Sequence, residues 1–187
     1  MMKNVFKATA ITFCFLLTCT LQAKEKDVNF KTNIDVFKAI KSDLVKADGR
    51  KAKVSKEMLK KRFILVYFSA HWCPPCRKFT PQLVKWYNKD HKDFTVILVS
   101  ADEDKVAMTK YMEETKMPWI GMKKGSDSEK LMSQKFQIGP GIPNLVLIEK
   151  GQIITSSYKK GKYLGPKHAY DTMISLLEKS KKSTKKK

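Results

Sequence analysis

Three apolar runs constrain what this chain can fold into: Phe63-Ile64-Leu65-Val66-Tyr67-Phe68, Thr95-Val96-Ile97-Leu98-Val99 and Asn144-Leu145-Val146-Leu147-Ile148. None alternates apolar with polar residues, so each reads as a strand buried on both faces. Segments with helical periodicity lie between and after them. Phe79, Leu83, Trp86 and Tyr87 mark one face of a helix behind the first run. Tyr170, Met173, Ile174 and Leu177 are spaced i, i+3, i+4, i+7, an amphipathic helix at the far end. Ser100-x-x-Glu103 has the capping-box pattern for a helix through about Lys116, and Ser126-x-x-Glu129 for another ending near Phe136. Gly151 turns the chain between Leu145–Ile148 and Ile153–Thr155, which predicts an antiparallel pair. The order βαβα, then ββα, predicts an α/β domain: a central mixed sheet flanked by helices on both faces.

The flanks read differently. Residues 1–23 have a signal-peptide pattern: Lys3 and Lys7, then an apolar stretch from Ala8 to Leu21, too short for a comfortable membrane span. Cleavage after Ala23 and export to a periplasm or cell surface are expected. The alternative is a lipoprotein anchored through Cys19, because Leu16-Leu17-Thr18-Cys19 resembles a lipobox, with Thr18 where Gly, Ala or Ser is usual. Residues 24–41 form a polar extension with a weak helical face of Phe30, Ile34, Phe37 and Ile40. Asp48-Gly49, between Leu44-Val45 and Ala52-Val54, is a hairpin signal, and Ser55 to Lys61 a short helix or turn. The main domain is expected over residues 42–178. Residues 179–187 are lysine and serine apart from Thr184 and are expected to be a disordered tail.

Composition narrows the partners. The formal net charge is +20, from 38 Lys+Arg against 18 Asp+Glu, yet only Arg50, Arg62 and Arg77 are arginine. Lysine is a hydrated point charge, poorly suited to bidentate reading of phosphates or base edges. The charge therefore argues for solubility and acidic surfaces rather than nucleic acid, and the chain is expected to act as a monomer. Of the four cysteines, Cys14 and Cys19 lie in the expected leader, which leaves Cys73 and Cys76. An exported protein whose thiols are one CxxC reads as a catalyst rather than a disulfide scaffold.

That pair sits in Trp72-Cys73-Pro74-Pro75-Cys76, directly after the first strand and at the start of its helix. Two cysteines at this spacing can close a disulfide across one helical turn. Unpaired N–H groups and the positive end of the helix dipole favour thiolate at the first sulfur. Pro74 and Pro75 carry no N–H, so that stabilisation is expected to be moderate. Metal ligation by Cys73, Cys76 and His71 is the competing reading, but no second CxxC or His pair supplies the four ligands of a structural zinc site.

The segment from Tyr67 to Pro81, YFSAHWCPPCRKFTP, resembles the active-site segment of the thioredoxin superfamily. It is most similar to the tryparedoxin and nucleoredoxin branch, which shares Phe79-Thr80-Pro81 and the later Met117-Pro118-Trp119. Gly141-Ile142-Pro143-Asn144 resembles the superfamily's cis-proline loop. The resemblance, over roughly Ser42 to Leu177, implies a thioredoxin-like fold with an N-terminal hairpin extension, and thiol–disulfide oxidoreductase activity. It implies an exposed nucleophile at Cys73 and a more buried resolving thiol at Cys76. Trp72 would shield the pair and contact a docking peptide, and Pro81 would kink the helix. Pro143, after a cis peptide bond, would face the dithiol and present the Ile142 backbone to substrate. It implies no cofactor beyond the Cys73–Cys76 disulfide, with protein disulfides as substrates and an upstream electron donor, membrane-bound or soluble. Tyr67 stands where many thioredoxins have a buried Asp, six residues before the first cysteine; water or Glu103 would have to replace that carboxylate. The rival readings are a redox-inactive binding module and a dedicated cytochrome c maturation thioredoxin.

Overall fold

The computed structural model describes residues 28–184, and the leader and lipobox readings lie outside them. Among the described residues no helix is long and apolar enough to cross a membrane. The first and second apolar runs form β2 (Phe63–Ser69) and β3 (Phe94–Ser100), paired in parallel with Phe63 opposite Phe94 and Ser69 opposite Ser100. The third forms β5 (Asn144–Glu149), antiparallel to β2, and β6 (Gln152–Ser156) adds an antiparallel edge after the Gly151 turn. With β1 (Leu44–Val45) and β4 (Ile120–Met122) the sheet has six strands in the order β1-β4-β3-β2-β5-β6. The central position of β2 matters for function, because its C-terminal end delivers the CxxC turn.

Each continuous apolar strand serves two cores. Phe63, Leu65 and Tyr67 point to one face, where they meet Leu83 of α3 (Pro74–Lys89), Met108 and Tyr111 of α4 (Lys105–Glu114), and Met173 of α6 (Lys167–Thr184). Ile64, Val66 and Phe68 point to the other, against Val36, Phe37 and Ile40 of α1 (Asn33–Ile40) and Met132 and Phe136 of α5 (Asp127–Phe136). Burial on both faces is why alternation was absent from the sequence. The expected short helix or turn is the helix α2 (Lys56–Lys60), capped by Ser55.

Several expectations are corrected. The N-terminal segment is part of the core rather than an extension at its edge: Phe30, Val36, Phe37 and Ile40 are buried, and the inward face of α1 uses Val36 in place of the exposed Ile34. Asn33 fastens α1 to the sheet by donating to Arg62 O (2.8 Å) and accepting from Gly151 N (3.0 Å). Asp48-Gly49 does turn the chain, with Gly49 at φ 74, but the expected hairpin is reduced to a bridge between Val45 and Lys51. The ladder of β1 goes to β4 instead, a strand too short to have shown a pattern. The cap of α4 is Asp104, which accepts from Ala107 N (2.8 Å), whereas Ser100 Oγ is turned to Asp102. Of the Lys-rich tail expected to be disordered, residues 179–184 are helical, and residues 185–187 lie outside the described residues. Lysine is a good helix former, and cations at a helix C-terminus oppose the negative end of its dipole. Arg62 Nη1 also donates to Ser180 Oγ (3.1 Å), which ties that last stretch to the domain. A small hairpin, β7 (Tyr158–Lys159) and β8 (Lys162–Tyr163), had no clear sequence signal.

Candidate active site

The C-terminal end of β2 runs through Ala70 into the motif, and Cys73 is the N-cap of α3. Pro74 and Pro75 occupy the first two helical positions, where a missing N–H costs nothing. The first helical N–H is therefore that of Cys76, and it donates to Cys73 Sγ at 3.3 Å. The two cysteines form a disulfide with their Cα atoms 5.2 Å apart. Cys76 is fully buried. Cys73 is also nearly closed off, at 4% exposure, where the sequence suggested an exposed sulfur. Its Sγ faces Cys76 and the carbonyl oxygen of Ile142, 3.7 Å away. The Ile142–Pro143 bond is cis, as the motif suggested. Pro81 lies inside α3, which continues past it to Lys89.

The loop before Cys73 is held by groups that sequence reasoning did not assign. Asp102, 2% exposed, accepts from the backbone N of His71 (2.8 Å) and from Ser100 Oγ (2.7 Å). Trp72 is 60% exposed, and its indole N–H donates to Ala101 O at 3.2 Å. His71 Nε2 lies 3.2 Å from the Glu114 carboxylate. Glu103, the sequence's candidate for a nearby acid, is exposed; the buried carboxylate is its neighbour Asp102. Trp119 is buried in the core, edge-on to Tyr87.

Behind Cys76 lies a cluster of four hydroxyls. Tyr67 Oη is 2.9 Å from Thr80 Oγ1, Tyr111 Oη bonds both Thr80 Oγ1 and Ser69 Oγ, and Thr80 donates to Cys76 O (2.9 Å). Burial pushes the Tyr67 phenol well above the usual tyrosine range, so it stays a neutral hydroxyl. The place of the missing carboxylate is thus taken by uncharged groups. Ser69 and Thr80 sit among apolar neighbours in sequence, which hid their roles; two buried tyrosines with no visible partners were the available signal.

On the other side, the loop carrying Pro143 is gripped by the β7–β8 hairpin. Gly141 N donates to Tyr158 Oη (2.9 Å), and Tyr163 Oη donates to Pro143 O (2.8 Å). A cleft of about 520 Å³ opens beside Ile142, between the end of β3 and α5. Among the described residues no three His, Cys, Asp or Glu side chains are placed to hold a metal.

This arrangement, a dithiol at a helix N-terminus on the central strand of a mixed sheet, defines a thioredoxin-type site. The thioredoxin-like family model matches residues 61–154, half of the chain. The chain belongs to that family, whose nucleoredoxin and tryparedoxin members are thiol–disulfide oxidoreductases. It is 36% identical to probable nucleoredoxin 1 of Arabidopsis thaliana over 133 residues, 69% of this chain and 20% of the relative. It is 42% identical to tryparedoxin of Trypanosoma brucei brucei over 76 residues, 40% of this chain and 51% of the relative. The crystal structure of a thioredoxin from Wuchereria bancrofti superposes with a TM-score of 0.57 at 33% identity, covering 72% of this chain and 94% of that one. The chain spans about a fifth of the length of the nucleoredoxins it matches.

Proposed function

We propose that this protein is an exported thiol–disulfide oxidoreductase that reduces protein disulfides and is itself recharged by an upstream dithiol donor, soluble or membrane-bound. The observation that carries the reading is the Cys73–Cys76 disulfide, with Cys73 at the cap of α3 and its sulfur beside the Ile142 carbonyl. In the reduced protein, the Cys73 thiolate attacks one sulfur of a substrate disulfide. A Cys73–substrate disulfide forms and the first substrate thiolate leaves. The Cys76 thiolate then attacks Cys73 Sγ, releases the second substrate thiolate and closes the Cys73–Cys76 bond. Two electrons pass to the substrate, and a donor dithiol returns two. Trp72 offers an exposed apolar plate beside this exchange, and the Ile142 and Pro143 backbone the edge against which an extended substrate lies. Pro74, Pro75 and Pro81 shape the helix that carries the pair.

The donors around Cys73 support this direction of flow. With Pro74 and Pro75 lacking N–H groups, Cys76 N–H and the helix dipole are what stabilise a thiolate there. Moderate stabilisation supports a potential nearer thioredoxin's about −270 mV than the about −120 mV of a strong oxidant such as DsbA. Export rests on Lys3, Lys7 and the apolar stretch Ala8 to Leu21, with a lipid anchor at Cys19 as its variant form. N-terminal sequencing of the mature protein is expected to start at or near Lys24; an intact Met1 on a cytoplasmic protein refutes export.

The experiment for the chemistry is turnover of a model protein disulfide with dithiothreitol as donor. Cys73→Ser abolishes it, and Cys76→Ser accumulates mixed disulfides because attack survives and resolution does not. Equal turnover by wild type and Cys73→Ser refutes the assignment. A measured potential above roughly −150 mV, on the oxidant side of the bracket, reverses the direction of flow.

A further inference from the structure

The β7–β8 hairpin is anchored at its base to the loop beside Cys73 and carries three ammonium groups at its tip. Its two tyrosines, 5.0 Å apart between ring centroids, hold Gly141 N and Pro143 O. The Tyr158 ring lies directly on that loop: a Cβ at Gly139 would come within 2.8 Å of it, and one at Gly141 within 2.6 Å of its hydroxyl. Between the tyrosines the chain reverses through Lys160 and Gly161, both in the left-handed region at φ 50 and φ 77. The turn is therefore tight, and the backbone that carries the lysines is held in one place. Lys159, Lys160 and Lys162 are all exposed, and among the described residues none has a carboxylate at ion-pair distance. The sequence has no Asp or Glu between Glu149 and Asp171. A basic prong with no internal counter-charge thus stands next to the backbone edge that flanks the reactive sulfur.

We propose that this hairpin is a substrate-docking element that selects polypeptide disulfides flanked by acidic residues. It rests on the thiol–disulfide reading above and adds the class of substrate. An acidic side chain a few residues from the substrate cysteine meets Lys159, Lys160 or Lys162 while the cysteine meets Cys73. Each contact is a small, exposed ion pair, so selection comes from the set and weakens with salt.

The test compares two peptides of equal length, each with one disulfide, one flanked by Glu and Asp and the other by Gln and Asn. Wild type is expected to favour the acidic peptide about tenfold in kcat/KM at low salt, the size three exposed ion pairs reach together. The preference is expected to fall as salt rises from about 0.01 M to about 0.15 M, where the Debye length shortens from about 30 Å to about 8 Å. The triple variant Lys159→Gln, Lys160→Gln, Lys162→Gln is expected to bring the ratio close to one. Removing the same charge at the other end of the sheet, with Lys56→Gln, Lys89→Gln and Lys92→Gln, is expected to keep it. An equal loss in both triple variants assigns the preference to the overall charge and overturns the hairpin's role, as does a wild type with no preference. Wild type that turns over neither peptide refutes the thiol–disulfide reading itself, and the docking proposal with it.

Discussion

Thr80→Val tests the hydroxyl cluster behind Cys76 with almost no change of shape. The four oxygens of Ser69, Tyr67, Thr80 and Tyr111 carry one proton each, and Thr80 sends its proton to Cys76 O. Its oxygen is then the acceptor for both phenols, while Ser69 donates to Tyr111. Valine removes that shared acceptor and the outlet to Cys76 in one step. All four side chains are fully buried, so water does not replace what is lost. A buried donor left without a partner costs about 1–3 kcal/mol, and valine strands two, so Thr80→Val is expected to destabilise by about 2–6 kcal/mol. Tyr67→Phe deletes one donor from a cluster in which Tyr111 still supplies Thr80, and is expected to cost about 1 kcal/mol. The double variant no longer holds the Tyr67 proton that Thr80→Val had stranded. It is expected to be less destabilised than the sum of the singles by about 1 kcal/mol, a coupling read from urea midpoints in a double-mutant cycle. Additivity within about 0.3–0.5 kcal/mol refutes the shared-acceptor account. The same variants test the chemistry: a neutral Tyr67 takes no proton from Cys76, so Tyr67→Phe is expected to keep disulfide turnover within a few-fold. A hundredfold loss would mean that the phenol does take part in proton transfer.

Three further outcomes are expected. Asn33→Leu strands Gly151 N–H and the Arg62 carbonyl and is expected to cost about 2–4 kcal/mol in urea unfolding, since α1 belongs to the core; a neutral result returns α1 to the status of an appendage. Asp102→Ala removes the acceptor of His71 N and Ser100 Oγ and is expected to speed hydrogen exchange at His71 N, with unchanged exchange refuting the anchor. The Ser128 hydroxyl, 2.6 Å away, and then Ser42 hold the Asp43 carboxyl below the ordinary range, so its stabilising contribution is present above about pH 4 and is lost as pH falls through the folded-state pKa. The stability gap between wild type and Asp43→Asn is therefore expected at neutral pH and to close in acid; a gap that persists below about pH 2 refutes the linkage.

What the sequence made legible follows from where the information is local. The three continuous apolar strands, the Ser126 cap and the helix after the motif all depend on neighbours within a few positions, and each stands where it was read. The CxxC pair and the Ile142–Pro143 loop were legible because short motifs carry them, and the fold then brings Cys73 Sγ and Ile142 O together across 69 positions. Groups whose roles come from tertiary contact were not legible. Asp102 carried no signal of its own in the sequence, and its role as the anchor of His71 N comes from burial. The Lys-rich end looked disordered by composition, yet Arg62 holds Ser180 from the far side of the chain. β4 has three residues and takes its place from β3 and β1, so no period could reveal it.

The site's electrostatics separate two tasks that a chain of net charge +20 would otherwise confuse. The groups that touch the sulfurs or stand directly behind them are uncharged: the Cys76 N–H, the Ile142 carbonyl and the four hydroxyls. None of the surplus lysine charge is needed there to explain the dithiol's chemistry; one N–H and a helix dipole suffice for moderate thiolate stabilisation. A set of unmatched charges stands on the β7–β8 tip, on a hairpin pinned to the cis-proline loop by Tyr158 and Tyr163. On the docking proposal, changing those lysines is expected to alter which disulfides are favoured, and on the proposed chemistry, changing Cys73 or Cys76 is expected to alter whether any is turned over. The two kinds of variant separate in kinetics, the first in the ratio between substrates and the second in turnover of all of them.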